Sequence, residues 1–237
     1  MQRRKTESNG TGGLLVLFSL SLVVISPVLA DSGKSDPAVP VFKDGEAQVV
    51  ERFNDPDMWI RHDLWVETGF DSDDDGRLDR MHVDVTRPRQ TETEGLKLPT
   101  IYISSPYFAG TAPKGQDYFW AARQEIGEAP PERDETPLIE RTGERPIISK
   151  SHVKKWVPRG YVVVHSSSPG TGLSQGCPTI GGDNESLAPK AVIQWLTGDA
   201  TGYTTPDGDE TVEAYWSTGR VGMTGTSFNG TLSLAAA

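Results

Sequence analysis

The sequence predicts an α/β fold: a mostly parallel sheet entered through an antiparallel N-terminal hairpin. Three observations carry that reading. Residues 62–70, "HDLWVETGF", and 78–88, "LDRMHVDVTRP", alternate apolar and polar positions across an acidic turn. Period-two alternation marks strands, and two such runs joined by a turn pair antiparallel. Residues 98–107, "LPTIYISSPY", and 161–164, "YVVV", are instead nearly continuous β-branched or apolar runs, as in strands covered on both faces. Helical patterns separate the later runs, and alternating β and α segments build a parallel sheet with helices on its faces.

The elements follow in order. In the hairpin, Leu78, Met81, Val83 and Val85 are expected mostly on one face. A helix is expected from about Ile148 to Trp156, ahead of the 161–164 strand. A second helix places Leu187, Ala191, Val192, Trp195 and Leu196 on one face; Pro189 should sit in its first turn and Gly198 should end it. The loop "GYTTPDGDE" precedes a short strand, "GRVGMTG", and "SFNGTLSLAAA" begins a third helix. Residues 111–146, which include "APPERDETP", form a long polar excursion, read as a covering loop or lid.

The N-terminus reads differently. "MQRRK" followed by a hydrophobic run and Val28-Leu29-Ala30 has the layout of a signal peptide cleaved after Ala30. The run approaches spanning length, so an uncleaved anchor is the competing reading; Pro27 and the polar "DSGKSDP" favour cleavage. The expectation is a secreted or periplasmic protein with no stable membrane anchor after cleavage. Residues 31–58 form a leader segment, and 59–237 the N-terminal part of a catalytic domain. Formal net charge is −10, which argues against a nucleic-acid partner. The lone Cys177 cannot close an intrachain disulfide and is read as a structural or spare thiol.

The chemistry concentrates in "GMTGTSFNG", residues 222–230. A serine on a sharp strand-to-helix turn projects into the crevice beyond the carboxyl ends of the strands, provided its neighbours are small. Gly225 stands two before Ser227, but Asn229 occupies the position two after it and Gly230 comes one later. The G-x-S-x-G pattern is therefore a near miss, supported by its place at a strand-to-helix junction.

"VGMTGTSFNGTLSLAAA" closely resembles the nucleophile segment of the Xaa-Pro dipeptidyl-peptidase and cocaine-esterase-like group, peptidase family S15. The resemblance extends through "KAVIQWLTGDATGYTTPDG", "EAYWSTGRVGM", "RGYVVVHSSSPGTGLSQG", "SSPYFAG" and "LWVETGFDSDDDGRLDRMHVDVTRP", from about residue 60 to the end. Phe228 stands where that family usually has Tyr. The resemblance implies an α/β-hydrolase fold in which Ser227 forms an acyl-enzyme. It implies oxyanion donors at the backbone N–H of Phe228 and the phenol of Tyr107. A rim aromatic packed under a loop is the alternative role for Tyr107. No cofactor is implied, and the partner is a peptide or a small acyl substrate.

A serine nucleophile needs a histidine base and a carboxylate to orient it, in the chain order Ser, Asp or Glu, His. Only "FNGTLSLAAA" follows Ser227, while His62, His82, His152 and His165 all precede it. The expectation is an α/β-hydrolase truncated after the nucleophile elbow and inactive alone. Within the same family the substrate is an Xaa-Pro peptide, with an ester or amide as the alternative.

A different class remains open. Asp71, Asp73, Asp75, Gly76 and Asp79 match the first nine positions of a calcium loop, although His82 replaces its final Glu and no helix flanks it. A solvated hairpin turn is the preferred reading; a non-catalytic, calcium-stabilised secreted binding module is the alternative. Sequons at Asn184 and Asn229 are read as unmodified.

Overall fold

A computed structural model describes residues 38–107, 127 and 150–237. The expected signal segment and the 111–146 excursion (Gly127 apart) lie outside the described residues. Strand β1 (Val41–Lys43) and strand β2 (Glu46–Gln48) form a small hairpin, turned at Asp44 and Gly45. The principal sheet contains β3 (Trp59–Glu67), β4 (Arg80–Pro88), β5 (Leu98–Ser105), β6 (Val162–Ser167), β7 (Gly202–Tyr203), β8 (Thr211–Val212) and β9 (Ser217–Met223). Its strand order is β8-β7-β3-β4-β6-β5-β9.

The expected hairpin is β3 with β4, antiparallel from Trp59 opposite Pro88 to Glu67 opposite Arg80. Strand β4 also runs antiparallel to β6, whereas β5 lies parallel between β6 and β9. Strands β3, β6, β5 and β9 therefore share one direction, and β4 alone among the five long strands is reversed. A mixed sheet of this kind, with one antiparallel strand between parallel neighbours, agrees with the α/β-hydrolase fold expected from the sequence.

Each sheet face has its own cover. Leu64, Val66, Met81, Val83, Val85, Tyr102, Val162 and Val164 pack with Ala188, Ala191, Val192, Trp195 and Leu196 of helix α3 (Asp183–Thr197). Ile103 and Val163 pack on the other side with Trp59, Val157 and Val153, the last from helix α2 (Lys150–Trp156). The short helix α1 (Gln90–Thr93) follows β4, and α4 (Phe228–Ala235) packs against β5 and α3.

Three expectations need correction. Leu78 is exposed and precedes β4, and β4 is buried along its whole length. Its polar positions, His82, Asp84 and Thr86, face covered space rather than water because neighbours flank both edges and both faces are packed. Pro189 lies inside α3 rather than in its first turn. The helix begins earlier, at Asp183; acids at Asp183 and Glu185 suit the positive end of its dipole, and Glu185 also accepts from the Gly181 N–H at 2.8 Å. Leu187, expected on the apolar face, is exposed; Ala188 and Pro189 are buried. Gly198 ends α3 as expected, in the left-handed region at φ 93°.

The leader is folded from Ala38 onward. Phe53 is 1% exposed, the Val50 N–H donates to Pro158 O at 2.8 Å, and Trp59 Nε1 donates to Phe53 O at 2.7 Å. Gly160 has φ 81°, and a Cβ there would lie 2.8 Å from Pro40 Cγ, so the leader and the turn before β6 meet closely. Pro37–Ala237 form one compact unit.

Candidate active site

The site is built where β9 stops. The Thr224 N–H donates to Tyr102 O at 3.1 Å, extending the pairing of β9 with β5 by one residue. The chain then reverses through Gly225 and Thr226 into α4. Ser227 sits at the crest with φ 58° and ψ −130°, a combination that L side chains rarely adopt. Its carbonyl accepts from the N–H groups of Gly230 (2.9 Å) and Thr231 (3.2 Å), so the helix starts immediately after it.

The flanking glycines are required by close approach. A Cβ on Gly225 would lie 2.3 Å from the carbonyl carbon of Asn229 and 2.5 Å from its oxygen. A Cβ on Gly230 would stand 3.1 Å from Gly225 O. The tight crossing is thus between the residue two before the serine and the backbone two after it. Asn229 takes part in the crossing through its backbone and its Cβ, 2.6 Å from the same Gly225 Cβ position, and the residue is buried in the first turn of α4.

Ser227 is exposed, and its hydroxyl makes no capping hydrogen bond to α4. A serine at an ordinary N-cap has extended dihedrals and accepts from the second or third helical N–H. The positive φ of Ser227 removes the side chain from that role and leaves it exposed at the carboxyl end of β9. Phe228 is the first helical residue, so its N–H has no intrahelical acceptor and lies at the positive end of the dipole.

Tyr107 lies two residues beyond β5, the neighbour of β9. Tyr107 is 59% exposed, and its backbone N–H donates to Ser105 Oγ at 3.0 Å. The topology therefore brings Tyr107, Ser227 and Phe228 to the same carboxyl edge of two adjacent parallel strands. Exposure at that edge sets Tyr107 apart from the packed aromatics of the core.

The histidines are placed elsewhere. His165 is wholly buried in β6, opposite Asp84 on β4 and Ile103 on β5. His82 is also buried, with Nε2 3.2 Å from Asp63 Oδ1. The His62 ring meets Trp216, just ahead of β9 and so at the opposite end of that strand from the elbow. His152 lies on α2, where burial and then the Lys155 charge lower its pKa. Cys177 is exposed and donates its backbone N–H to Ser72 Oγ.

Two features were not read from the sequence. Ser105 is buried at the foot of the Tyr107 turn, signalled only by the Ser-Pro-Tyr order. Asn229 is buried in the first turn of α4 with its Oδ1 unpartnered. The other sequon residue, Asn184, donates from Nδ2 to Cys177 O at 2.9 Å.

The acidic turn is exposed from Asp73 to Leu78, as expected, and Asp79 is its buried end. Asp79 is 2% exposed and its Oδ2 accepts from the Ser72 N–H (3.0 Å) and Oγ (2.5 Å). Burial outweighs those hydrogen bonds and raises its pKa, with Asp73 and Asp71 adding to the rise. Asp71 accepts from the Gly76 N–H at 2.9 Å. Oxygens of Asp71, Asp73 and Asp79 lie within 4.8 Å of one another and are the group among the described residues able to hold a cation. His82, at the twelfth position, is a strand residue paired with Asp63 instead.

Comparison with known proteins gives the family. The X-Pro dipeptidyl-peptidase (S15) family pattern matches residues 75–237. The chain belongs to the S15 family. A Rhodopirellula baltica protein bearing the Xaa-Pro dipeptidyl-peptidase name is 65% identical over 223 residues, covering 94% of this chain and 35% of that protein. The Xaa-Pro dipeptidyl-peptidase of Ligilactobacillus salivarius is 34% identical over 223 residues, covering 84% and 27%. The S15 chain described here thus spans about a third or less of the length of these relatives. Among solved structures, an α-amino acid ester hydrolase is similar over 89% of this chain and 26% of its own, at 17% identity and a TM-score of 0.44. A CocE/NonD family hydrolase from Staphylococcus aureus is similar over 74% and 28%, at 19% identity and a TM-score of 0.38.

Proposed function

We propose that the full-length protein is a serine hydrolase that releases Xaa-Pro dipeptides from peptide N-termini, with Ser227 as its nucleophile. The observation that carries this reading is the backbone of Ser227. A positive φ at an exposed, non-capping serine, closed by two glycines at van der Waals limits, holds strain for which packing offers no return. Family membership and the Xaa-Pro names of the relatives support the choice of substrate.

The chemistry follows from the placement. Ser227 Oγ bonds to the scissile carbonyl carbon while its proton passes to a histidine base. The carbonyl oxygen becomes an oxyanion, received by the Phe228 N–H and the Tyr107 hydroxyl, each worth about 3 kcal/mol in the transition state. Collapse expels the shortened peptide as its free amine, which takes the proton. Water then cleaves the acyl-enzyme and frees the dipeptide acid. The reading assigns the base and its orienting carboxylate to parts of the full-length protein other than residues 1–237, and residues 1–237 alone are expected to show no turnover. Export, with cleavage after Ala30, completes the proposal.

Assay of the full-length protein on Ala-Pro-p-nitroanilide, on Ala-Ala-p-nitroanilide and on a short acyl ester tests the substrate. Preference for the Xaa-Pro anilide supports the reading; efficient cleavage of the ester alone replaces it with an esterase. Mass spectrometry of the mature N-terminus tests export, with Asp31 expected first.

A further inference from the structure

We infer that Ser105 is a positioning residue for the oxyanion site: its buried hydroxyl fixes the backbone that carries Tyr107. The inference rests on the proposed role of Tyr107 and concerns how that role is supported. Ser105 is the last residue of β5 and is 0% exposed. Its Oγ accepts the Tyr107 N–H at 3.0 Å, and its carbonyl accepts the Ser168 N–H at 3.0 Å. One residue thus ties the Tyr107 turn to β5 and ties the end of β5 to the loop leaving β6, in register with Ser105 opposite Ser167.

The intervening Pro106 narrows the turn further. Its ring fixes its own φ near −65° and pushes Ser105 toward extended geometry. A serine accepting from the N–H two residues on closes a side-chain turn that normally competes with water and is weak. Here the acceptor is buried, so water offers no alternative and the turn is held. The phenol projecting from it is exposed. A donor meant to meet charge that exists only in the transition state must be held in place beforehand, because reorganisation costs rate. Pro106 and the Ser105 hydroxyl supply that rigidity at the backbone, leaving the ring free to face substrate.

The test is a double-mutant cycle in the full-length protein on Ala-Pro-p-nitroanilide, with thermal melts of each variant. Ser105→Ala is expected to lower kcat about tenfold with KM changed less than about twofold, at little cost in melting temperature. Ser105→Thr, which keeps the acceptor oxygen, is expected to restore most of the loss. Tyr107→Phe is expected to lower kcat about 100-fold, and the pair Ser105→Ala with Tyr107→Phe no further. If Tyr107→Phe is impaired while Ser105→Ala keeps the wild-type kcat, the positioning role is overturned and the oxyanion reading stands. Equal, additive losses from the two substitutions overturn it as well. If Tyr107→Phe itself keeps full activity, the oxyanion role of Tyr107 falls and takes the role of Ser105 with it.

Discussion

Gly225 and Asn229 cross so closely that a single methyl group at residue 225 would lie 2.3 Å from the Asn229 carbonyl carbon. Backbone is the obstacle there, so no side-chain adjustment relieves it. Gly225→Ala is expected to destabilise the domain by about 1–3 kcal/mol. It should also abolish reaction of Ser227 with an active-site probe, because the elbow opens. Urea unfolding and labelling of the same variant check both; an unchanged midpoint with normal labelling would refute the crossing.

Strain at Ser227 predicts a separation of stability from reactivity. Glycine adopts positive φ without penalty, at some entropic cost of its own. Ser227→Gly is expected to stabilise the fold by about 1 kcal/mol while removing the nucleophile. Ser227→Ala removes the nucleophile and keeps the strain, so its midpoint should stay within about 0.5 kcal/mol of wild type. Equal stability of the Gly and Ala variants would argue against stored strain.

Phe53 tests the N-terminal leader. Its ring is buried beneath the turn before β6. Phe53→Ala is expected to cost about 3–5 kcal/mol, as for an aromatic removed from a core. A loss under about 1 kcal/mol would make residues 38–58 a loosely attached leader.

Asp79 gives a pH dependence with a defined sign. Its folded pKa lies above the ordinary 3.8 because burial disfavours the carboxylate. Between those two values the folded state binds more protons than the unfolded chain, so stability contributed at this site falls as pH rises. Asp79→Asn keeps an acceptor oxygen for Ser72 and cannot ionise. The stability of wild type relative to Asp79→Asn, measured by denaturant unfolding, should therefore decline as pH rises above the ordinary value of 3.8. A difference that grows in favour of wild type over that range contradicts the assignment.

Much of this architecture was legible in the residues. Alternation in 62–70 and 78–88 marked β3 and β4, and the apolar run at 161–164 marked β6, because strand period and β-branching report directly on pleated packing. The strand-to-helix turn at Ser227 was legible because a strand, a glycine-bracketed serine and a small-residue helix occur in that order. Other parts were not. The earlier start of α3 was hidden by Pro189, whose lost hydrogen bond is outweighed by the favourable acids at the N-terminus and the buried face beyond. Strands β7 and β8 are two residues each and carry no period. Burial of Asp79 depends on Ser72 and on Gly176, far away in sequence, where a Cβ would lie 2.2 Å from Asp79 Oδ2. Local pattern carries no signal of such an approach.

The most direct measurement is covalent. Full-length protein is treated with a fluorophosphonate, digested and mapped by mass spectrometry. The adduct is expected on the peptide containing Ser227, absent from Ser227→Ala and slowed in Tyr107→Phe. An active enzyme that takes up the probe at another residue, or turns over substrate with Ser227 replaced by alanine, would contradict the account.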